Sequence, residues 1–407
     1  MNCRHCGTTL NHCFLDLGFA PPSNAYLTID DLTKPEITFP LRLRVCESCW
    51  LVQTEDYSTP DVFFNSHYAY FSSTSQGWLD HATRYAEAVT ERFALNADSF
   101  VVEVASNDGY LLRNFVARNI PCLGVEPTAS TAEVARKINV PTLSEFFGTA
   151  LGERLANEGK RADLIIGNNV FAHVPDINDF ASGLKSVLKP EGAVTLEFPH
   201  VLKMLEQAQF DTVYHEHFSY LSLFSVSRIF EVIGMRVWDV EALPTHGGSL
   251  RVYACHDEAH HVRSHRVADV LRQELAAGLQ SLSIYAAFQS RTDAIKNNAL
   301  AFLIEQKRAG KLVAAYGAAA KGNTFLNYAG IKPDLLAFVC DAASAKQNKY
   351  LPGSHIPILS PDALISLKPD YIWILPWNIA DEVCEQNVIV RSWGAKFATI
   401  APDVRIF

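Results

Sequence analysis

No apolar run in the chain approaches the roughly 20 residues that cross a bilayer, which excludes a protein spanning membranes by helices. Positive charge is in short supply. Against 44 Asp and Glu stand only 35 Lys and Arg, a net charge of −9, which disfavours nonspecific attraction to nucleic acid or anionic lipid. The opening Met1-Asn2-Cys3-Arg4-His5-Cys6 has no signal-peptide apolar region, so a cytoplasmic location is expected. Nine cysteines, an odd number without an export signal, argue against a disulfide framework. With 407 residues, 48% hydrophobic and 19% charged, the chain reads as globular, with two or three domains.

Two Cys-x-x-Cys pairs stand out, Cys3/Cys6 and Cys46/Cys49. Each places two thiolates on one side of a tight turn, and two such turns complete a tetrahedral structural zinc site. Four buried reduced thiols are the plainer alternative. Redox use is disfavoured, since no thioredoxin-like pattern surrounds either pair. Between the pairs, Pro21-Pro22-Ser23-Asn24 reads as a turn and Phe39 to Val45 alternates as a strand. Beyond them, Asn65 to Ser75 is rich in aromatics and hydroxyls. There Tyr68 and Tyr70 either pack on a core or present phenols from a lid.

From Trp78 onward, strands and helices alternate, which predicts a doubly wound parallel sheet. Strand Val101–Val104, containing Glu103, runs into Ala105-Ser106-Asn107-Asp108-Gly109 and then a helical pattern. This strand, turn and helix start is the element with which nucleotide-binding α/β folds grip a ligand. A second strand ends in Glu126, suited to hold ribose hydroxyls in either a dinucleotide or an S-adenosylmethionine site. A fourth strand ends at Asn168. Ala105 stands where a glycine is usual, which is tolerable if its φ is negative and its methyl points away from the ligand.

Tyr214-His215-Glu216-His217 is dense in titratable groups just past the fifth strand, with His173 following the fourth. These histidines can cap a helix, hold a metal, or move protons with carboxylate support. After a helical stretch from Asp257 to Ala309, Lys311 to Gly317 predicts a strand leading into Ala318-Ala319-Ala320-Lys321-Gly322-Asn323-Thr324 and a further helix. That turn is either a second phosphate cradle or a packing turn, and it fits neither Walker A nor GxGxxG.

Taken together, the cysteine knuckles, the methyltransferase-like core with Tyr214 to His217, and the Tyr316-to-Thr324 segment resemble the nucleotide-sugar C-methyltransferase family. The resemblance runs through nearly the whole chain and is near to the tetronitrose-pathway 3-C-methyltransferases. It implies an α/β protein of three domains. A zinc-binding domain with a substrate lid would span 1–75, a class I Rossmann-like methyltransferase domain 76–256, and a helical connector with a Rossmann-like nucleotide-sugar domain 257–407. It implies zinc on Cys3, Cys6, Cys46 and Cys49, and S-adenosylmethionine at Glu103, Ala105, Asn107, Asp108, Gly109, Glu126 and Asn168. The implied catalytic set is His217 with Glu216, Tyr214, His173 and Tyr68; Tyr70, Lys321 and Asn323 would bind substrate. The expected reaction methylates carbon 3 of a dTDP-linked 4-ketosugar through an enolate. Carbon 5, a CDP or GDP carrier, and a zinc-bearing RNA-modifying methyltransferase are the alternatives. No nucleic-acid or membrane partner is expected, and the state expected is a monomer or weak homodimer.

Overall fold

A computed structural model describes residues 1–57, 71–400 and 404–407. Tyr68 and Tyr70 lie outside the described residues. Three sheets organise the chain. The first is antiparallel, in the order His12–Ala20, Phe39–Val45, Val52–Thr54 and Ser219–Tyr220. Leu41, Leu43 and Val45 point into its core, while Arg42 and Arg44 point outward to Asp16 and Glu55 at 2.8 and 2.6 Å. Period-two alternation therefore makes the strand. The fourth strand comes from the far side of the chain and begins two residues after His217.

The central sheet has the order Met235–Leu243, Ser249–His256, Leu188–Pro199, Ala162–Asn168, Val101–Val104, Cys122–Val125 and Thr142–Leu143. The five strands from Leu188–Pro199 to Thr142–Leu143 pair in parallel, whereas Ser249–His256 is antiparallel to both neighbours. Strand Val101–Val104 is fully buried, as a strand covered on both faces must be. The winding reverses between it and Ala162–Asn168, which opens a crevice at their carboxyl ends.

The third sheet runs Ile358–Leu359, Val339–Cys340, Val313–Tyr316, Tyr371–Ile374, Lys396–Thr399 and Arg405–Ile406. Only the last pair is antiparallel. From Leu335 to Asp341 only Val339–Cys340 is a strand. The stretch expected to be helical before this sheet holds His265–Ala276, Leu282–Ala286 and Phe288–Arg308.

The three parts are packed together rather than strung on linkers. Phe14 of the first sheet meets Tyr285 and Phe288 at centroid separations of 5.0 and 6.0 Å. Phe210 of the central region meets Phe325 at 5.5 Å. Glu274, fully buried on His265–Ala276, accepts from Leu223 N at 2.6 Å and Phe224 N at 2.9 Å, and pairs with His200 at 2.7 Å. It thus satisfies the first N–H groups of helix Leu223–Val232. Glu274→Ala would leave these buried donors unpartnered. The expected loss is about 3 kcal/mol, read as a lowered midpoint in scanning calorimetry; an unchanged midpoint would show that water replaces the carboxylate.

Candidate functional site

The cysteine pairs form two turns with one hydrogen-bond pattern. Cys3 N donates to Thr8 O and Gly7 N to Cys3 O, at 2.8 and 3.0 Å; Cys46 N donates to Leu51 O and Trp50 N to Cys46 O, at 3.1 and 2.9 Å. The residue after each second cysteine is left-handed, Gly7 at φ 75° and Trp50 at φ 57°, which turns the chain sharply enough to aim both thiols inward. All four sulfurs lie within 4.8 Å of one another, with Cys3–Cys49 and Cys6–Cys46 at 3.5 Å. A tetrahedron with Zn–S of about 2.3 Å has edges of roughly 3.8 Å, so the set fits zinc. Four protein ligands complete the coordination and give the ion a structural part.

At the crevice of the central sheet, Glu126 fixes the turn after the first strand. Its carboxylate accepts from Asn107 N and Thr128 N, both at 2.9 Å. Burial raises the Glu126 pKa and these bonds oppose the rise. Drawing Asn107 N to the carboxylate while Ser106 N reaches Val125 O curls the chain back. Ala105 therefore has φ 56° and Asn107 φ 49°. The negative φ that would make an alanine easily tolerable here is not found: Ala105 occupies a glycine-favouring conformation, at a cost of about 1–2 kcal/mol.

A cavity of about 500 Å³ opens from this turn. Ala105, Asn107, Glu126 and Asn168 line it, and both side-chain polar atoms of Asn168 are buried without a partner among the described residues. Phe146, Phe147 and Phe180 supply apolar wall. Unsatisfied polar groups beside a ribose-type carboxylate and an aromatic wall fit an adenosine-bearing cofactor. Three expected cofactor residues do not line the cavity. Glu103 is buried within its strand, its pKa pushed well up by burial; Asp108 accepts from Ser73 N at 3.1 Å; Gly109 packs against Ala135 and Val140.

The same cavity gathers His173, Tyr214, Glu216 and His217. The rings of His173 and Tyr214 lie 4.5 and 4.0 Å from that of His217. His217 Nδ1 is 3.0 Å from the Thr212 carbonyl. A carbonyl only accepts, so Nδ1 carries the proton and Nε2 is bare. Burial, then the neighbouring His173, pushes the His217 pKa well down, and burial takes His173 to about 4. Glu216 was expected to support His217, but among the described residues its carboxylate bonds only to Asn24 Nδ2, at 2.9 Å to each oxygen. Burial lifts Glu216 to about 7, with Asn24 opposing. His215 instead approaches Pro40 O at 3.2 Å.

The third sheet brings its own turn to this cavity. Gly317, at φ 90°, packs where a Cβ would come 2.5 Å from Pro376. Beyond it Ala319, Ala320 and Lys321, at the start of helix Ala320–Ala329, line the cavity, as does Lys346. Lys321 Nζ bonds Asn378 at 2.5 Å and lies 4.8 Å above the Trp377 ring. Burial lowers its pKa and Asp211 opposes. Asn323 does not line the cavity; it is buried, donating to Ser23 O at 2.6 Å.

Two cavity residues carried no clear signal in the sequence. Asn24 sits in the Pro21-to-Asn24 turn, whose glycine-free, proline-rich composition spoke only for a turn. His246 bonds Asn169 Nδ2 at 3.1 Å, and burial, then Lys321, brings it to about 4. Its adjoining Gly247-Gly248 was the visible hint of close approach.

Cys46→Ser is expected to abolish zinc retention, measured by atomic absorption on the purified protein, and to lower the melting midpoint; full zinc content would remove Cys46 from the ligand set. Ala105→Gly relieves the left-handed strain but adds freedom to the unfolded chain, so a gain of up to about 1 kcal/mol is expected. A fall in melting midpoint would show that the methyl group's packing outweighs the strain.

Three family models match successive parts of the chain. Residues 3–64 match a zinc binding domain family, 78–240 a methyltransferase domain family, and 244–402 the C-methyltransferase C-terminal domain family. The C-methyltransferase NovU of Streptomyces niveus is 34% identical over 404 residues, 99% of this chain and 96% of its own. A ubiquinone biosynthesis O-methyltransferase of Bartonella tribocorum is 31% identical over 94 residues, 23% of this chain and 38% of its own. A solved SAM-dependent methyltransferase from Anabaena variabilis is 13% identical, covering 49% of this chain and 96% of its own with a TM-score of 0.37. No helix among the described residues is long and apolar enough to cross a membrane. With an N-terminal four-cysteine zinc-binding domain, a central methyltransferase domain and a similarity to NovU spanning almost the entire chain, the protein belongs to the S-adenosylmethionine-dependent C-methyltransferase family.

Proposed function

We propose that the chain methylates carbon 3 of a nucleotide-linked 4-keto-deoxysugar, carried on dTDP, in branched-chain sugar biosynthesis. One observation carries this reading. A single cavity joins the cofactor turn, a cluster of acid–base side chains, and a cationic helix start from the third sheet. S-adenosylmethionine, when bound, supplies an electrophilic methyl group.

A carbon next to a ketone becomes a nucleophile only after losing a proton, because the negative charge then spreads onto the ketone oxygen. His217 takes that proton on Nε2, which the Thr212 carbonyl keeps bare. Its low proton affinity keeps it neutral across the physiological range. Tyr214 and His173, against the His217 ring, hydrogen-bond the sugar and the developing enolate oxygen. Tyr68 and Tyr70 belong to this reading by family likeness and lie outside the described residues. Lys321 and the first N–H groups of helix Ala320–Ala329 suit a pyrophosphate, which supports reading the region 257–407 as the part that takes the nucleotide end of the substrate. An O- or N-acceptor with its own lone pair would have little use for so many acid–base groups.

A second reading gives the proton to Glu216. It is favoured by a carboxylate lifted to about 7, close to the working pH of a general base. Isotope exchange separates the two. In deuterated water, the wild type is expected to place deuterium at carbon 3 of a dTDP-4-ketosugar and to methylate it. His217→Ala is expected to lose both by 100-fold or more while still binding S-adenosylmethionine in calorimetry. Full exchange in His217→Ala, with loss in Glu216→Gln, would transfer the role to Glu216. Label and methyl at carbon 5, or turnover only with CDP or GDP carriers in a mass-spectrometric panel, would correct the substrate.

A further inference from the structure

Among the described residues, Glu216 is buried with a single hydrogen-bonding side chain, and that side chain comes from another part of the molecule. The Asn24 amide nitrogen lies 2.9 Å from both Glu216 oxygens, so one NH₂ group bridges the carboxylate and fixes its plane. Asn24 itself lines the cavity.

The segment that delivers Asn24 is fastened to the third sheet's domain on both sides of it. Ser23 O accepts from Asn323 Nδ2 at 2.6 Å, and Tyr26 OH donates to Ala318 O at 2.6 Å. Leu27 and Tyr350 exchange main-chain bonds of 2.9 and 2.8 Å. Further along, Glu36 accepts from Gly353 N at 2.8 Å and pairs with His355 at 2.9 Å. Ala318 directly precedes the cavity-lining residues Ala319 and Ala320, so the same short segment touches both the cationic turn and the buried carboxylate.

We propose that Asn24 is a positioning residue for methyl transfer: through its bidentate contact it holds the Glu216 carboxyl group correctly turned toward the cavity, from a segment registered on the turn at Ala318. The proposal rests on the reading of Glu216 as part of the reacting cleft. Titratable groups near this carboxylate include Tyr26 on the same segment, His173, Tyr214 and His217 on the central domain, and, beyond Tyr26, Lys346 with its partner Asp341, the Lys346 ammonium lying 5.6 Å from the Tyr26 ring. The Glu216 main chain favours the charged form of the His173 ring, against the larger effect of burial. Removing the amide donor destabilises the ionised form more than the neutral one, so the carboxyl holds its proton to higher pH. The expected shift is about one pH unit or somewhat more.

The test uses the full zinc-bound protein. Infrared difference spectra over a pH titration follow the protonated carboxyl band of Glu216, recognised by its absence in Glu216→Gln. In Asn24→Ala the midpoint of this band should rise by about one unit, and the acid limb of the kcat profile should rise with it while the affinity for S-adenosylmethionine is unchanged. Asn24→Asp keeps the size of the side chain, covers the case in which the alanine variant folds poorly, and should raise the midpoint further by placing a like charge beside Glu216. In Asn24→Ala/Glu216→Gln the rate should equal that of Glu216→Gln alone. An unmoved midpoint, an equal loss of rate at every pH, or additive losses in the double variant would overturn the proposal. The infrared midpoint needs no sugar substrate. A wild type that methylates none of the ketosugars therefore sinks the substrate reading while leaving the Asn24 result intact.

Discussion

A carboxylate that takes one main-chain N–H on each oxygen holds the cofactor crevice in shape. Glu126 joins the end of the second strand of the central sheet to the turn after the first, through Asn107 N, and starts its own helix through Thr128 N. The left-handed backbone at Ala105 and Asn107 follows from that clamp. The third sheet repeats the device: Asp341 accepts from Ala318 N at 2.7 Å and from Ala343 N at 2.8 Å. In both sheets the acid ends the strand beside the one that feeds the turn, and its second donor lies two residues further on. The two Rossmann-like parts thus share a hydrogen-bond motif where their sequences show no residue-level repeat.

The cleft between them holds ionisable groups whose charged forms are penalised by burial. His173, His217 and His246 are all driven toward the neutral state, and Lys321 is made easier to deprotonate. Glu197 goes the other way. Although burial raises it, His81 at 3.0 Å, Arg251 at 2.5 Å and Thr245 at 2.9 Å bring it down to about 2. That network sits beneath the Thr245–Gly247 turn and fixes the backbone that presents His246. A permanently ionised anchor on one side and a carboxyl near neutrality on the other let one cleft combine rigid support with proton movement.

Much of this was legible in the chain itself, for local reasons. The central strands are short apolar runs closed by Asn or Glu, and the knuckles announce themselves by spacing. His12–Ala20 was not legible, because two register shifts against its neighbour break the period-two pattern around Asp16 and Gly18. The site divides in the same way. His217, Glu216 and His173 fall in dense motifs, whereas Asn24 lies 192 residues from its partner in a turn without periodicity. Glu103 and Asn323 sit in the right motifs, but their side chains point into packed interior. Motif position predicts the neighbourhood of a ligand, and only packing decides which atoms reach it.

The first sheet also has an order of events written into it. Its outer strand, Ser219–Tyr220, leaves the ribosome long after Val52–Thr54, with which it pairs. At about 5–20 residues per second, the zinc-binding part waits on the order of ten to thirty seconds with an open edge before its sheet can be completed. During that interval the cysteine knuckles, formed from the earliest residues, are the local structure available to limit misassociation. Metal supply during synthesis therefore bears on the yield of the folded enzyme as well as on its final stability.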